Sequence, residues 1–136
     1  MTGAGVSGAG PSGAGLRRVA VFGGVGLLAT AVHVVTGLTL AGGLGLRPLT
    51  ANFCAFCAAF AVSYLGHHRL TFRSGAAHLR AAPRFLAVAL AGLALNQLIV
   101  FAVVDLWGRS YALALALVIL TVPALTFALA RLWAFR

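Results

Sequence analysis

Four apolar runs, each long enough or nearly long enough to cross a bilayer, occupy most of this chain. They lie at about 18–41, 49–70, 84–107 and 110–132, and a helix needs roughly 20 apolar residues to cross about 30 Å of hydrocarbon. With 62% apolar residues, 8% charged residues and a mean hydropathy of +1.05, the sequence leaves no segment for a soluble domain. It therefore predicts an all-α, multi-pass membrane protein with four transmembrane helices.

The four runs form two similar halves. Each half opens on an arginine, Arg18 or Arg84, and closes on a basic and aromatic cap, at residues 67–73 and 130–136. Because each half contains two spans, both copies enter and leave the membrane on the same side. We therefore expect two parallel two-helix repeats rather than inverted ones.

The arginines are distributed unevenly about the four predicted spans. All ten basic residues are arginine, Asp105 is the sole acid, and the net charge is +9. Arg47 and Arg109 fall on one side, and eight fall on the other: Arg17, Arg18, Arg69, Arg73, Arg80, Arg84, Arg131 and Arg136. This positive-inside pattern predicts a cell (cytoplasmic) membrane protein with both termini and the 71–83 loop in the cytoplasm. Since the charge follows topology, we expect no nucleic-acid partner.

The chain divides into a tail and one membrane domain. Residues 1–15 are rich in Gly, Ala and Ser, which predicts a disordered tail. Residues 16–136 form the predicted four-helix domain. Arg17-Arg18 before an apolar run could open an export signal, but the run exceeds the roughly 7–15 residues of a signal core. We expect a retained first span.

Three polar side chains lie near the predicted middle of two spans: His33 in the first, and Asn96 and Gln97 in the third. A polar group in hydrocarbon is costly unless it is partnered. These residues could bind a substrate, or they could hydrogen-bond one another, or a carbonyl, and so tie the helices together. Under either interpretation, we expect His33 and Asn96 to face the interior of the bundle.

Small residues predict where the helices pack. The first span carries Gly23, Gly24, Gly26 and Gly37, which allow close helix approach. The second carries a small ridge (Ala51, Ala55, Ala59, Ser63 and His67) beside a bulky one (Asn52, Phe56, Phe60, Tyr64 and His68). Cys54 and Cys57 have a C-x-x-C spacing without a second pair, so we expect packing residues and no metal or cofactor. Trp107 and Tyr111 suit the outer membrane interface.

The two caps resemble a known family. Residues 63–73, Ser-Tyr-Leu-Gly-His-His-Arg-Leu-Thr-Phe-Arg, resemble the motif that ends the second span of the GtrA-like family, and residues 130–136 are similar to its second copy. Ala51-Asn52 and Arg84-Phe85-Leu86 also resemble the family, so the resemblance covers about 16–136. Thr30, His33 and Ala130 depart from it, since the family often has Asn or Asp there. Those departures bear on the substrate if these positions contact it.

This resemblance implies a membrane component of cell-surface polysaccharide synthesis that moves a polyprenyl-phosphate-linked sugar across the membrane. The alternative is a membrane partner of a polyprenyl-phosphate glycosyltransferase, without transport of its own. A small four-span drug/proton exchanger is disfavoured because the first span holds no acidic residue. With one acid in the chain, we expect no enzymatic acid–base catalysis.

Under the leading hypothesis, arginines bind the phosphate as bidentate donors, and polar groups between the spans meet the headgroup. The expected substrate-binding residues are His33, Asn96, Gln97, His67, His68, Arg69, Arg73 and Arg131. The expected partners are the lipid bilayer, the lipid-linked sugar and a membrane glycosyltransferase. A homo-oligomer is also expected, since four short helices enclose little volume.

Overall fold

The computed structural model describes residues 13–71 and 78–134, apart from the side chains of 14, 18, 67, 68, 70, 71, 78–82, 84, 85 and 126–134. These residues form four helices and no strand. They are α1 (Gly13–Leu38, continued by a π-helical turn Thr39–Gly43), α2 (Pro48–Thr71), α3 (His78–Val100, continued by a π-helical turn Phe101–Leu106) and α4 (Tyr111–Ala134). The predicted all-α architecture is confirmed.

Among the described residues, three helical segments are long and apolar enough to cross a membrane: Gly15–Gly43, Pro48–Gly66 and Leu86–Leu106. In α4, the apolar stretch found among the described side chains is shorter, Tyr111–Leu125. These segments make the chain a multi-pass membrane protein.

Two helices begin earlier than the sequence predicts. α1 begins at Gly13, inside the stretch expected to be a disordered tail, and α3 begins at His78, inside the expected 71–83 loop. Alanine and leucine, which have high helix propensity, surround the start of α3, whereas the start of α1 contains Gly13 and Gly15, so helix propensity explains the early start of α3 alone. Residues 1–12 and 72–77, which hold the rest of the two predictions, lie outside the described residues.

The turns that join α1 to α2 and α3 to α4 have the same geometry, 63 residues apart. In the first, Leu44 N donates to Thr39 O at 3.1 Å; in the second, Trp107 N donates to Ala102 O at 3.0 Å. A second pair of bonds, Leu46 N to Leu40 O and Arg109 N to Val103 O, follows the same spacing. Gly45 and Gly108 lie between them with φ of +67° and +60°, a conformation that suits glycine at a helix end. We call the end of the molecule that carries both turns the turn end.

Small residues close the hairpin of α1 and α2. Ala51 and Ala55 of the predicted small ridge are fully buried, so that part of the prediction is confirmed. Farther from the turn, a Cβ on Gly66 would lie 2.6 Å from Val25 Cγ1 of α1. Glycine is therefore the residue that lets these two helices approach there.

The hairpin of α3 and α4 packs differently, around branched apolar side chains. Val100 and Val103 from the end of α3 pack with Ala114 and Val118 of α4. Leu49 of α2 lies against this cluster, so the second hairpin also contacts the first. The helices thus meet in two pairs, and the site lies between the pairs.

Of the four glycines expected to bring α1 close to another helix, Gly37 does so. A Cβ on Gly37 would lie 2.5 Å from the Tyr111 hydroxyl of α4, so a side chain there would collide with that group. Gly23, Gly24 and Gly26 have nothing within 4 Å. For these three glycines, the prediction of close approach is wrong within the described part of the chain.

Candidate functional site

Asn52, at the turn end of α2, joins all four helices through its side-chain amide. Its Oδ1 lies 3.1 Å from His33 Nε2 and accepts from the Tyr111 hydroxyl at 3.3 Å. Its Nδ2 donates to Asn96 Oδ1 at 2.7 Å and to Gln97 Oε1 at 2.6 Å. We call these five side chains the Asn52 network. It satisfies all four hydrogen-bonding positions of a fully buried amide.

One backbone carbonyl fixes the direction of these bonds. The Leu49 carbonyl can only accept, so the Gln97 amide must present its nitrogen there, at 3.1 Å. Gln97 Oε1 then accepts from Asn52 Nδ2, which turns Asn52 Oδ1 toward His33 and Tyr111. Because that oxygen can only accept, His33 donates from its Nε2–H. The donor nitrogen of His33 is thus determined by a peptide group on α2.

Asn52 reaches the network from near the turn end of α2, whereas His33 and Asn96 lie near the middle of their apolar segments. Asn52 is four residues after Pro48, about 6 Å along a helix that is about 36 Å long. The expectation that His33 and Asn96 face the interior is confirmed, since they are 7% and 2% exposed. Asn96 is the central residue of the apolar segment Leu86–Leu106, and His33 lies four residues from the centre of Gly15–Gly43, so their expected place near mid-span is confirmed.

An open cleft of about 210 Å³ extends from the network between the two hairpins. All four helices line it: Ala29, Thr30 and His33 of α1; Phe56, Ala59, Phe60 and Ser63 of α2; Asn96 of α3; and Val118, Ile119, Val122 and Pro123 of α4. Its walls are mostly apolar, and His33 and Asn96 supply hydrogen-bonding groups at its turn end. Phe56 and Phe60 of the bulky ridge of α2 therefore form part of the wall of the cleft.

The structure brings together three of the eight predicted binding residues, His33, Asn96 and Gln97. His33 was expected to bond Asn96, Gln97 or a carbonyl, but its partner is Asn52, which links it to the other two. Arg69 lies near the other end of α2 and is exposed. Arg73 and the side chains of His67, His68 and Arg131 lie outside the described residues, so their predicted role stays a prediction.

The sequence analysis missed Asn52 and Tyr111 as members of the site. Asn52 is a polar residue in an otherwise apolar ridge, and the rule that drew attention to His33 applies equally to it. Tyr111 was assigned to the outer interface, yet its hydroxyl donates inward to Asn52. The space that Gly37 leaves accommodates this ring. Trp107 is 67% exposed beside the second turn, as an interface residue would be.

Cys54 and Cys57 are free and exposed, so the expectation that they pack against another part of the chain is wrong. Among the described residues, no cluster of His, Cys, Asp or Glu could hold a metal ion. Thr121 donates to the Leu117 carbonyl of its own helix at 2.6 Å.

A comparison with protein families identifies the fold. The family model described as GtrA/DPMS, transmembrane domain, matches residues 21–135. The chain belongs to this family. The match covers both hairpins, the Asn52 network and the cleft. No curated protein and no solved structure matches the sequence.

Membership of GtrA/DPMS makes the chain a membrane component of glycan synthesis. The resemblance that rests on the two caps is therefore confirmed at the level of the family. The matched segment begins after Arg17 and Arg18 and includes both cap motifs except for the last residue, Arg136.

Proposed function

We propose that this GtrA/DPMS chain moves a polyprenyl-phosphate-linked sugar across the cell membrane. The observation that carries the proposal is the cleft between the two hairpins, which has apolar walls and neutral hydrogen-bonding groups at one end. Such a cleft gives a polar headgroup partners where lipid gives none. The proposal assigns the chain no catalytic step.

The arginines have a separate place in this proposal. Arg69 lies 17 residues beyond Asn52 on α2, about 25 Å along the helix, and is exposed. Guanidinium groups form strong bidentate bonds with phosphate. We propose that Arg69, with His67, His68, Arg73 and Arg131, meets the phosphate at the membrane surface before the sugar enters the cleft. The turn-end arginines, Arg47 and Arg109, are not part of this site.

The same proposal includes two parallel repeats with both termini in the cytoplasm. The 63-residue spacing of the two turns supports it, as does the ratio of eight arginines to two. Reporter fusions after Arg47, Gly75, Arg109 and Arg136 test it. We expect external signals at Arg47 and Arg109 and cytoplasmic signals at Gly75 and Arg136. An external signal at Gly75 or Arg136 contradicts the proposed topology.

The transport proposal is tested in cells depleted of the chain. The lipid-linked sugar is quantified in sealed membrane vesicles before and after treatment with an impermeant sugar-oxidising reagent. Loss of a transporter changes the distribution between leaflets while the total amount stays the same or rises. An unchanged distribution contradicts the proposal.

The second candidate is a membrane partner that positions a glycosyltransferase. The exposed glycines of α1 favour it, because Gly23, Gly24 and Gly26 leave room for a helix of another protein. A second copy of this chain could occupy the same face. In the depletion experiment this function has a different signature, since the total amount of lipid-linked sugar falls when its synthesis is impaired.

A further inference from the structure

Two buried side chains at the turn end of the cleft have hydrogen-bonding groups that the Asn52 network does not use. His33 donates through Nε2, and a buried imidazole with no acidic group in the described lining is favoured in its neutral form, which leaves a lone pair at Nδ1. Asn96 accepts through Oδ1, so both N–H groups of its Nδ2 remain. Neither group has a hydrogen-bond partner among the described residues, although both side chains are more than nine-tenths buried. Buried polar groups are almost always paired, so these two are positions where a ligand can bond.

The pairing of one acceptor with one donor indicates the chemical class of that ligand. A hydroxyl both donates and accepts, so hydroxyls can satisfy His33 Nδ1 and Asn96 Nδ2 together. A phosphate oxygen only accepts and would face the lone pair of Nδ1. Among the described residues, the lining of the cleft contains no arginine. The turn end of the cleft therefore suits a neutral sugar and disfavours its phosphate.

The size and walls of the cleft limit the sugar to one ring. A cavity of about 150 Å³ holds benzene, and this cleft of about 210 Å³ has room for a six-membered ring with hydroxyl groups. Phe56 and Phe60 stack with ring centroids 6.3 Å apart and form part of one wall. Aromatic rings of this kind pack against the apolar C–H face of a pyranose.

We propose that the cleft is a subsite for one neutral monosaccharide unit, an inference that rests on the proposed function. His33 Nδ1 accepts from one hydroxyl and Asn96 Nδ2 donates to another, while the ring packs on Phe56 and Phe60. The carbon that bears the phosphate points away from the turn end, toward Ser63. Gln97 does not line the cleft; it positions Asn52 and makes no contact with the sugar.

Three variants of the full chain in lipid nanodiscs test this subsite. Ala59→Leu fills the cleft without removing a hydrogen bond, and Ala61→Leu adds the same side chain to an exposed position of the same helix. His33→Gln keeps a donor for Asn52 close to the Nε2 position and removes the acceptor at Nδ1. The probes are a polyprenyl phosphate that carries one hexose and the same polyprenyl phosphate without sugar. Affinity is measured by titration, and folding by thermal unfolding.

We expect the wild type and Ala61→Leu to bind the glycosylated lipid about tenfold more tightly than the bare lipid. Two buried hydrogen bonds to the sugar, at about 1 kcal/mol each, are enough for at least that ratio of affinities. Ala59→Leu should lose this preference, and His33→Gln should reduce it about three- to tenfold.

If the preference survives in both variants, the subsite is overturned while the proposed function stands. Equal binding of the two lipids by the wild type overturns the subsite alone. If the wild type binds neither lipid, the proposed function fails as well. Should Ala59→Leu unfold, His33→Gln decides the question.

Discussion

The two hairpins turn in the same way but bury different residues beside their turns. At the turn end the first buries Ala51 and Asn52, and 63 residues later the second buries Ala114 and Leu115. The small alanine is kept at the equivalent position, where the helices must approach. The amide is replaced by leucine, whose side chain is 2% exposed. The same backbone arrangement thus presents a polar side chain from the first hairpin and an apolar side chain from the second at the interface between them.

A second pair of equivalent positions, His33 and Asn96, is polar in both hairpins. They lie 63 residues apart, and both bond the same Asn52 side chain from opposite sides. The Asn52 amide of the first hairpin therefore lies between His33 and Asn96, which occupy equivalent positions in the two hairpins. Similar scaffolds with different buried residues produce one asymmetric site rather than two copies of it.

The largest loss of stability is expected from replacing Asn52 by the leucine that the second hairpin has at the equivalent position. Asn52→Leu gives the first hairpin the residue of the second and removes four hydrogen bonds at once. At about 0.6 kcal/mol for each bond within a membrane, the free energy of unfolding should fall by about 2–3 kcal/mol. Equilibrium unfolding in mild detergent measures it, with Phe53→Leu at the adjacent exposed position as the control. A loss no greater than that of Phe53→Leu contradicts the importance given to the network.

The next largest loss of stability is expected at Gly37, whose equivalent in the second hairpin is Val100. Gly37→Ala places a Cβ 2.5 Å from the Tyr111 hydroxyl, and overpacking of this kind costs about 1–3 kcal/mol. Adding Tyr111→Phe should recover part of this loss, since the nearest ring carbons lie at 3.4 Å. The unfolding free energies of the single and double variants measure it.

Gly23→Ala is the matched control, because none of the described residues would lie within 4 Å of a Cβ on that glycine. It should leave stability unchanged or raise it by up to about 1 kcal/mol through helix propensity. If Gly37→Ala behaves in the same way, α1 and α4 do not pack as described.

The smallest effect is expected at the end opposite the turns. Arg69→Lys with Arg131→Lys keeps the charge, and therefore the topology, but removes the bidentate geometry that recognises phosphate. Affinity for polyprenyl phosphate should fall about three- to tenfold, which is less than the roughly 1.5–3 kcal/mol of one hydrogen bond to a charged group because solvent screens the exposed Arg69. Arg47→Lys with Arg109→Lys makes the same change at the turn end and should have no effect. Equal affinities of the two double variants for polyprenyl phosphate would mean that Arg69 and Arg131 act as topology signals and do not bind the phosphate.

The long apolar runs predict the helices well, because crossing a bilayer requires length and apolarity along one continuous segment. The ends are harder to predict, because α1 and α3 begin at Gly13 and His78, beyond the length that crossing the membrane requires. His33 and Asn96 could be predicted to lie inside, since a polar group in lipid is costly. Their common partner, Asn52, could not be identified without knowing which helix ends meet.

The register of the two halves explains what else was missed. Aligning Arg18 with Arg84 sets the first spans of the two halves against each other with an offset that differs from the 63 residues of the turns. With the 63-residue offset of the turns, His33 is equivalent to Asn96. The offset that aligns Arg18 with Arg84 pairs His33 with an apolar residue near Asn96 instead. The caps at 67–73 and 130–136 are themselves 63 residues apart, so they contain the register of the turns, whereas the alignment of Arg18 with Arg84 does not.

Movement of a lipid-linked sugar by the purified chain is the most direct test of the proposed transport. Wild type, Ala59→Leu and Ala61→Leu are reconstituted separately into sealed vesicles that contain a polyprenyl phosphate carrying one hexose. Transfer between leaflets is followed with an impermeant sugar-oxidising reagent. Wild type and Ala61→Leu should transfer the lipid faster than protein-free vesicles, and Ala59→Leu should transfer it at the protein-free rate. A folded wild-type chain that transfers no lipid, or an Ala59→Leu rate equal to that of Ala61→Leu, contradicts transport through the cleft.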